Sequence, residues 1–285
     1  MESLLSLAFD NLSSYDGTKV RKGLRQVEGL LAQICLSKRK LSAAERRRSM
    51  ATPGASNVGA KDLGALREDL AFREFFKLQQ GFEWNVAMRL IACLDRLLGR
   101  GSNGGNDLLI LSSLDLIQGV LLLHPPSRAL FAREIYMNLL LDLLDPSNCP
   151  AIQSCTLLTL VCALMAQPSN TRVFESLDGL LTVTSLFKQR STSREVKLKL
   201  IEFLYFYLMP ETTANTGTPM EASHSPSKLQ GAFARGNNGN SISAGDRPVI
   251  KNTEEKQALL GRYLNNVQDL VEDLRESAPF GGTLC

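Results

Sequence analysis

Apolar residues fall at Val20, Leu24, Val27, Leu31 and Ile34, the three-and-four spacing of one helical face. The spacing predicts a helix there, preceded by a short one from Glu2 to Leu12 with Asp16 and Gly17 as the break, so that 1–36 reads as a pair of N-terminal helices. From Ser37 the pattern stops. Lys38, Arg39, Lys40, Arg46, Arg47 and Arg48 precede a Thr-Pro-Gly-Ala-Ser-Asn run with little to bury, and a flexible basic loop is expected over 37–64. Periodicity returns at Leu66 and runs to Met209, interrupted at 99–106, 124–126, 145–150, 167–168 and 189–193. Each break follows one helix-length segment, the rhythm of antiparallel helices joined by short turns.

Within 65–210 the pattern repeats. Leu114, Ile117, Leu121, Pro125, Phe131, Met137 and Leu144 align with Leu157, Leu160, Leu164, Pro168, Phe174, Leu180 and Phe187, each pair 43 positions apart. A third copy opens with Leu200, Phe203 and Tyr207 before Pro210 ends it, and an earlier partial one runs from Phe75-Phe76 through Gly81-Phe82 to Leu97-Leu98. Armadillo and HEAT units repeat at about 40–47 residues. The expected fold is therefore all-α: a short armadillo/HEAT-like helical solenoid whose units bury a continuous core only by stacking.

Beyond it, 211–251 is dominated by Gly, Asn, Ser, Thr and Pro and reads as a disordered linker. Order is expected again over 252–276. Asn252 and Glu255 have capping-box spacing, and Leu260, Tyr263, Leu264, Val267, Leu270, Val271 and Leu274 mark the apolar stripe of one C-terminal helix, with 277–285 as a tail. That face docks on the last repeat as a cap or holds a partner chain.

Composition narrows the chemistry. The 44% apolar content of 285 residues fills a real core, and a net charge of +3 over this length is too small for a general attraction to nucleic acid. No apolar run approaches the ~20 residues that span a bilayer, and Glu2 and Asp10 stand where a secretory signal carries basic residues, so neither membrane insertion nor secretion is expected. The cysteines sit mostly in Leu-rich segments and are expected as buried free thiols; Cys155 and Cys162 share a helix face without the further His or Cys a metal site needs.

Of the two histidines, His124 abuts two prolines and His224 lies in the linker, neither placed for general-base work. A cysteine phosphatase holds its thiolate in a His-Cys-x5-Arg loop, and no Cys here follows a His. Walker, nucleophile-elbow and His-Glu-x-x-His patterns do not occur. No catalytic residue, cofactor, metal or small-molecule substrate is assigned. Two hydroxyls are candidate phosphorylation sites: Ser49 after Arg46-Arg47-Arg48, and Ser225 in Ser225-Pro226-Ser227-Lys228.

Two stretches carry more specific information. Thr171-Arg172-Val173-Phe174-Glu175, Gly179-Leu180 and the run from Val196 to Glu211, together with the tail from Lys256 to Leu264 and from Val271 to Gly281, resemble the fungal cell division control protein 14 family of septation initiation network components. The resemblance implies a non-catalytic subunit that binds a Ste20-related (germinal-centre-type) protein kinase, supports its activity in cytokinesis and septum formation, and works in the cytoplasm with recruitment to the spindle pole body. It carries no catalytic motif to transfer. An armadillo-type peptide carrier unrelated to septation is the alternative, weakened by a single Trp, Trp84, where such grooves use ladders of Trp and Asn.

Overall fold

The computed structural model describes residues 1–38, 58–99, 104–211 and 250–268. Helices α1 (Glu2–Leu12) and α2 (Gly17–Cys35) form an antiparallel pair. Asp16 starts α2 by accepting from the Thr18 amide at 2.9 Å, and Gly23 lets the two helices touch: a Cβ there would stand 2.9 Å from the Leu12 nitrogen and 3.0 Å from the Ala8 oxygen.

The expected loop over 37–64 is ordered at both ends. Strands β1 (Leu36–Lys38) and β2 (Val58–Ala60) pair antiparallel with Leu36 opposite Ala60, and α3 (Leu63–Glu68) begins inside the supposed loop. Lys61 ties this corner down, donating to the Ile34 carbonyl at 2.7 Å and pairing with Asp69 at 2.6 Å. Three-residue strands show no alternation long enough to read from sequence. Among the described residues the fold is otherwise helical, and none of these helices is long and apolar enough to cross a membrane.

From α4 (Leu70–Gln79) the chain enters a row. Helices α5 (Val86–Leu98), α6 (Asp107–Leu123), α8 (Pro150–Leu164) and α11 (Arg194–Leu208) lie side by side, each against the next, and α1 and α2 cover the α5–α6 end. A 3-10 helix (Pro125–Ala132), α7 (Glu134–Asp142), α9 (Pro168–Ser176) and α10 (Gly179–Lys188) pack along the row. Residues aligned by the 43-residue offset are alike in burial: Leu114, Ile117, Leu121 and Phe131 are buried, as are Leu157, Leu160, Leu164 and Phe174, and so are Leu200, Phe203 and Tyr207 in α11. The copies differ locally. The segment opened by Pro125 is a 3-10 helix, whereas that opened by Pro168 is α-helical.

Gly179 has a packing reason. A Cβ there would lie 2.4 Å from the Phe174 ring and 2.6 Å from its carbonyl oxygen, so only glycine lets α10 start against the buried Phe174. Phe174 meets Phe203 edge-on at 5.6 Å and thereby joins α9 to α11.

The C-terminal segment departs from expectation. Helix α12 (Thr253–Leu260) has the capping box, with Asn252 accepting from the Glu255 amide at 2.9 Å and Glu255 accepting from the Asn252 amide at 2.8 Å. It is not continuous over 252–276, however: it ends at Leu260, and turns follow Gly261. The apolar spacing continues past Gly261, but Gly261 and the Asn265-Asn266 pair are poor helix formers, and the backbone turns there.

Candidate functional site

Position 43 after Pro168 falls at Glu211, where the described chain leaves the row; it returns at Ile250. The two ends of the linker expected over 211–251 are held together: the Glu211 amide donates to the Lys251 carbonyl at 3.3 Å, and the Lys251 amide donates to Glu211 Oε2 at 2.9 Å. This doubled contact sets α12 against α11.

Around it lies a part-buried ionic cluster. Arg172, on α9, donates through Nη2 to Glu211 and lies 3.2 Å from Glu175, one turn along its own helix. Lys251 pairs with Glu175 at 2.6 Å, and Lys256 with Glu211 at 3.3 Å. Tyr207 donates its hydroxyl to Glu175 at 2.7 Å, and the Lys256 ammonium sits 5.1 Å from the Tyr207 ring centre while donating to the Met209 carbonyl at 3.0 Å. The side chains of Lys256 and Glu211 are each 5% exposed. Burial pushes the Tyr207 hydroxyl well above the usual phenol range, and the bond to Glu175 adds to it; burial likewise lowers the Lys256 ammonium, against the opposing pull of Glu211. Such a pairing is a lock: removing one partner strands buried charge.

Of the stripe read from the sequence, Leu260 and Val267 are buried in the common core, and Tyr263 and Leu264 pack half-buried against it. Lys188 of α10 donates to the Tyr263 carbonyl at 2.6 Å. Leu270, Val271 and Leu274 lie outside the described residues, as do Ser49 and Ser225. The ion-pair partners escaped the sequence reading because Arg172, Glu175, Glu211, Lys251 and Lys256 are spread over both sides of a long polar segment. One signal was present: Lys256 stands four residues before Leu260, on the apolar face of α12.

The remaining polar interior serves packing. His124 bonds Ser127 at 2.8 Å, and Ser127 accepts from Asn85 at 3.2 Å, tying the α5 N-terminus to the 3-10 helix; burial lowers His124 to about 4. Cys155 on α8 lies 3.2 Å from Asp115, and burial, reinforced by that carboxylate, pushes its thiol up to about 12. A thiol so placed stays protonated and is a poor nucleophile.

The two resembling segments of the sequence thus meet in one place, the stretch from Thr171 to Glu211 supplying one wall and Lys256 to Leu264 the other. Comparison with known proteins agrees over the whole chain. A family model described as cell division control protein 14, SIN component, matches residues 1–280. The chain belongs to this family. It is similar to cell division control protein 14 of Schizosaccharomyces pombe, with 30% identity over 289 residues that span 99% of this chain and 97% of the relative. Membership places the chain among cell-division and septation proteins, and the match runs through both walls of the ionic cluster. No solved structure matches.

Proposed function

We propose that the chain is a non-catalytic regulatory subunit that binds a Ste20-related protein kinase of the septation initiation network, supports its activity in cytokinesis, and accompanies it from the cytoplasm to the spindle pole body. Its row of helices serves as a short armadillo-like solenoid capped by α12. The observation that carries this reading is family membership over essentially the full length, ionic cluster included. The protonation states of His124 and Cys155 accord with it, since burial moves both away from the neutral range in which a general base or thiolate nucleophile works. Trp84 stacks on Phe9 at 6.3 Å and packs against the core, a structural post that leaves the carrier alternative without its aromatic ladder. Phosphate on Ser49 or Ser225 would tune partner affinity; alanine at both positions then alters kinase binding during the cell cycle, and unchanged binding removes this part of the proposal.

Size-exclusion chromatography of the purified chain with its cognate kinase tests the main reading. Co-elution is expected across a range of salt concentrations. Separate elution of two folded partners contradicts it.

A further inference from the structure

Helix ends meet at two places along the row, and the two junctions differ at one aligned position. Between the ends of α6 and α8 stands the buried Arg128, donating through Nε to the Leu121 carbonyl at 3.1 Å and through Nη1 to the Met165 carbonyl at 3.0 Å. One guanidinium thus bridges two helix C-termini, where leftover carbonyls and the helix dipoles favour a cation. At the offset of 43 residues Leu121 corresponds to Leu164, Pro125 to Pro168 and Arg128 to Thr171. Thr171 is too short to bridge, and its hydroxyl turns back to the Gln167 carbonyl, 3.5 Å away at the start of α9.

Leu164, Pro168 and Thr171 line a cavity of about 300 Å³ between the ends of α8 and α11. Its volume lies at the lower end of the range of small-ligand pockets and suits a single large side chain. Phe206 and Met209 give the opposite wall. Glu211 and Lys256 form the polar edge, but they pair with each other at 3.3 Å, so that edge is neutral and the two helix C-termini set the field inside. Lys256 reproduces only half of what Arg128 does. Its ammonium is engaged by Glu211, the Met209 carbonyl and the Tyr207 ring, all on the α11 side. A guanidinium matches the remaining chemistry, since its planar fork reaches two carbonyls at once, its stem packs on apolar walls and its face stacks on an aromatic ring.

We propose that this cavity receives an arginine side chain presented by a partner protein, its guanidinium bridging the ends of α8 and α11 as Arg128 bridges those of α6 and α8. The acceptors are the Leu164 carbonyl, in the position of Leu121, and the Leu208 carbonyl, in the position of Met165. Entry is from solvent, past Met209 and Pro210, which are exposed at the rim. Identifying the partner as the kinase rests on the function proposed above, whereas the chemistry of the pocket does not.

Two arms keep these apart. In the first, the full chain with ¹³C-methyl methionine is titrated with Nα-acetyl-arginine amide and with Nα-acetyl-citrulline amide, which has the same shape and an uncharged urea in place of the guanidinium. Shifts of the Met165 and Met209 methyl signals are expected with the arginine compound at millimolar concentration and not with the citrulline one. No shift, or equal shifts with both, overturns the proposal. Binding that appears only once Arg247 and Arg275 are replaced by Gln assigns the pocket to an arginine of this chain and overturns it too. The second arm fills the pocket from within. Thr171→Arg restores the arrangement of the preceding junction and is expected to abolish the methyl shifts and to weaken kinase binding about tenfold. Met209→Trp, which closes the mouth from the exposed rim without touching the core, is expected to act in the same direction. Unchanged kinase affinity in both variants overturns docking of the kinase at this pocket while leaving kinase binding intact. Absence of kinase binding by the unaltered chain overturns the function instead, and the first arm alone then decides the pocket.

Discussion

Arg128 closes the ends of α6 and α8 from within the row, whereas Lys256 closes the end of α11 from a segment that returns across 47 residues. Arg128 donates to the Leu121 carbonyl at 3.1 Å and the Met165 carbonyl at 3.0 Å. Lys256 donates to the Met209 carbonyl at 3.0 Å. Both place a cation at helix C-termini, where unpaired carbonyls and the helix dipole favour it. The surroundings differ. Arg128 works among backbone carbonyls, helped by Asn170, which donates to the Ala163 and Arg128 carbonyls at 2.7 and 2.8 Å. Lys256 needs Glu211, and Glu211 needs Arg172 and the Lys251 amide. An interior junction is thus satisfied by side chains of the neighbouring elements in the row, while the terminal one is completed by ion pairs with a distant part of the chain.

The shared part of the two junctions is the apolar core, and its loss should cost most. Phe131 and Phe174 are both fully buried at positions 43 apart, so Phe131→Ala and Phe174→Ala should each lower stability by about 3–5 kcal/mol in urea unfolding. A clear inequality between them would show that the two copies do not bear load alike.

The polar closures should then separate. Arg128→Met strands two carbonyls inside the row and should cost about 2–3 kcal/mol of global stability. Lys256→Met should leave the global transition nearly in place and instead admit protease around α12. If both variants lower the global midpoint equally, the C-terminal segment belongs to the same cooperative unit as the row.

Acid sharpens the interior side. His124 is held neutral, with its value lowered from 6.5 to about 4 by burial. The unfolded chain therefore takes up a proton first, and the stability this group contributes is complete above pH 6.5 and is lost as pH falls from there toward 4. At about 1.4 kcal/mol per pH unit, roughly 2–3 kcal/mol should disappear between pH 7 and 4.5. Gln167 occupies the equivalent position before Pro168, so His124→Gln should fold and should flatten that part of the pH profile. The smallest effect is expected at Lys199, whose 2.7 Å pair with Glu202 is exposed; Lys199→Met should stay within about 0.5 kcal/mol of the unaltered chain.

These differences explain what could be read from the sequence. Burial of Leu114, Leu157 and Leu200 at equal spacing follows from side-chain polarity and period alone, and the Phe174–Gly179 contact stands in a short local motif. The ends of the basic loop were missed because Leu36–Lys38 and Val58–Ala60 are too short to alternate. The C-terminal stripe was half legible: Leu260 and Val267 reach the core as their spacing requires, yet they do so on either side of a turn, since periodicity reports the face that packs and not the continuity of the backbone. The ionic cluster was illegible except through Lys256, because pairing between Arg172 and Glu211 or between Glu175 and Lys251 is fixed only by the tertiary path.

The central claim is that α12 is an integral cap, held on the row by Glu211. Hydrogen exchange on the unaltered chain and on Glu211→Ala tests it most directly. In the unaltered chain the amides of 257–260 should be clearly protected, though less than those of α11; in Glu211→Ala, which leaves Arg172, Lys251 and Lys256 against Glu175 alone, their protection should fall by about 3 kcal/mol while α6 and α8 keep theirs. Equal protection of 257–260 in the two proteins would contradict the claim.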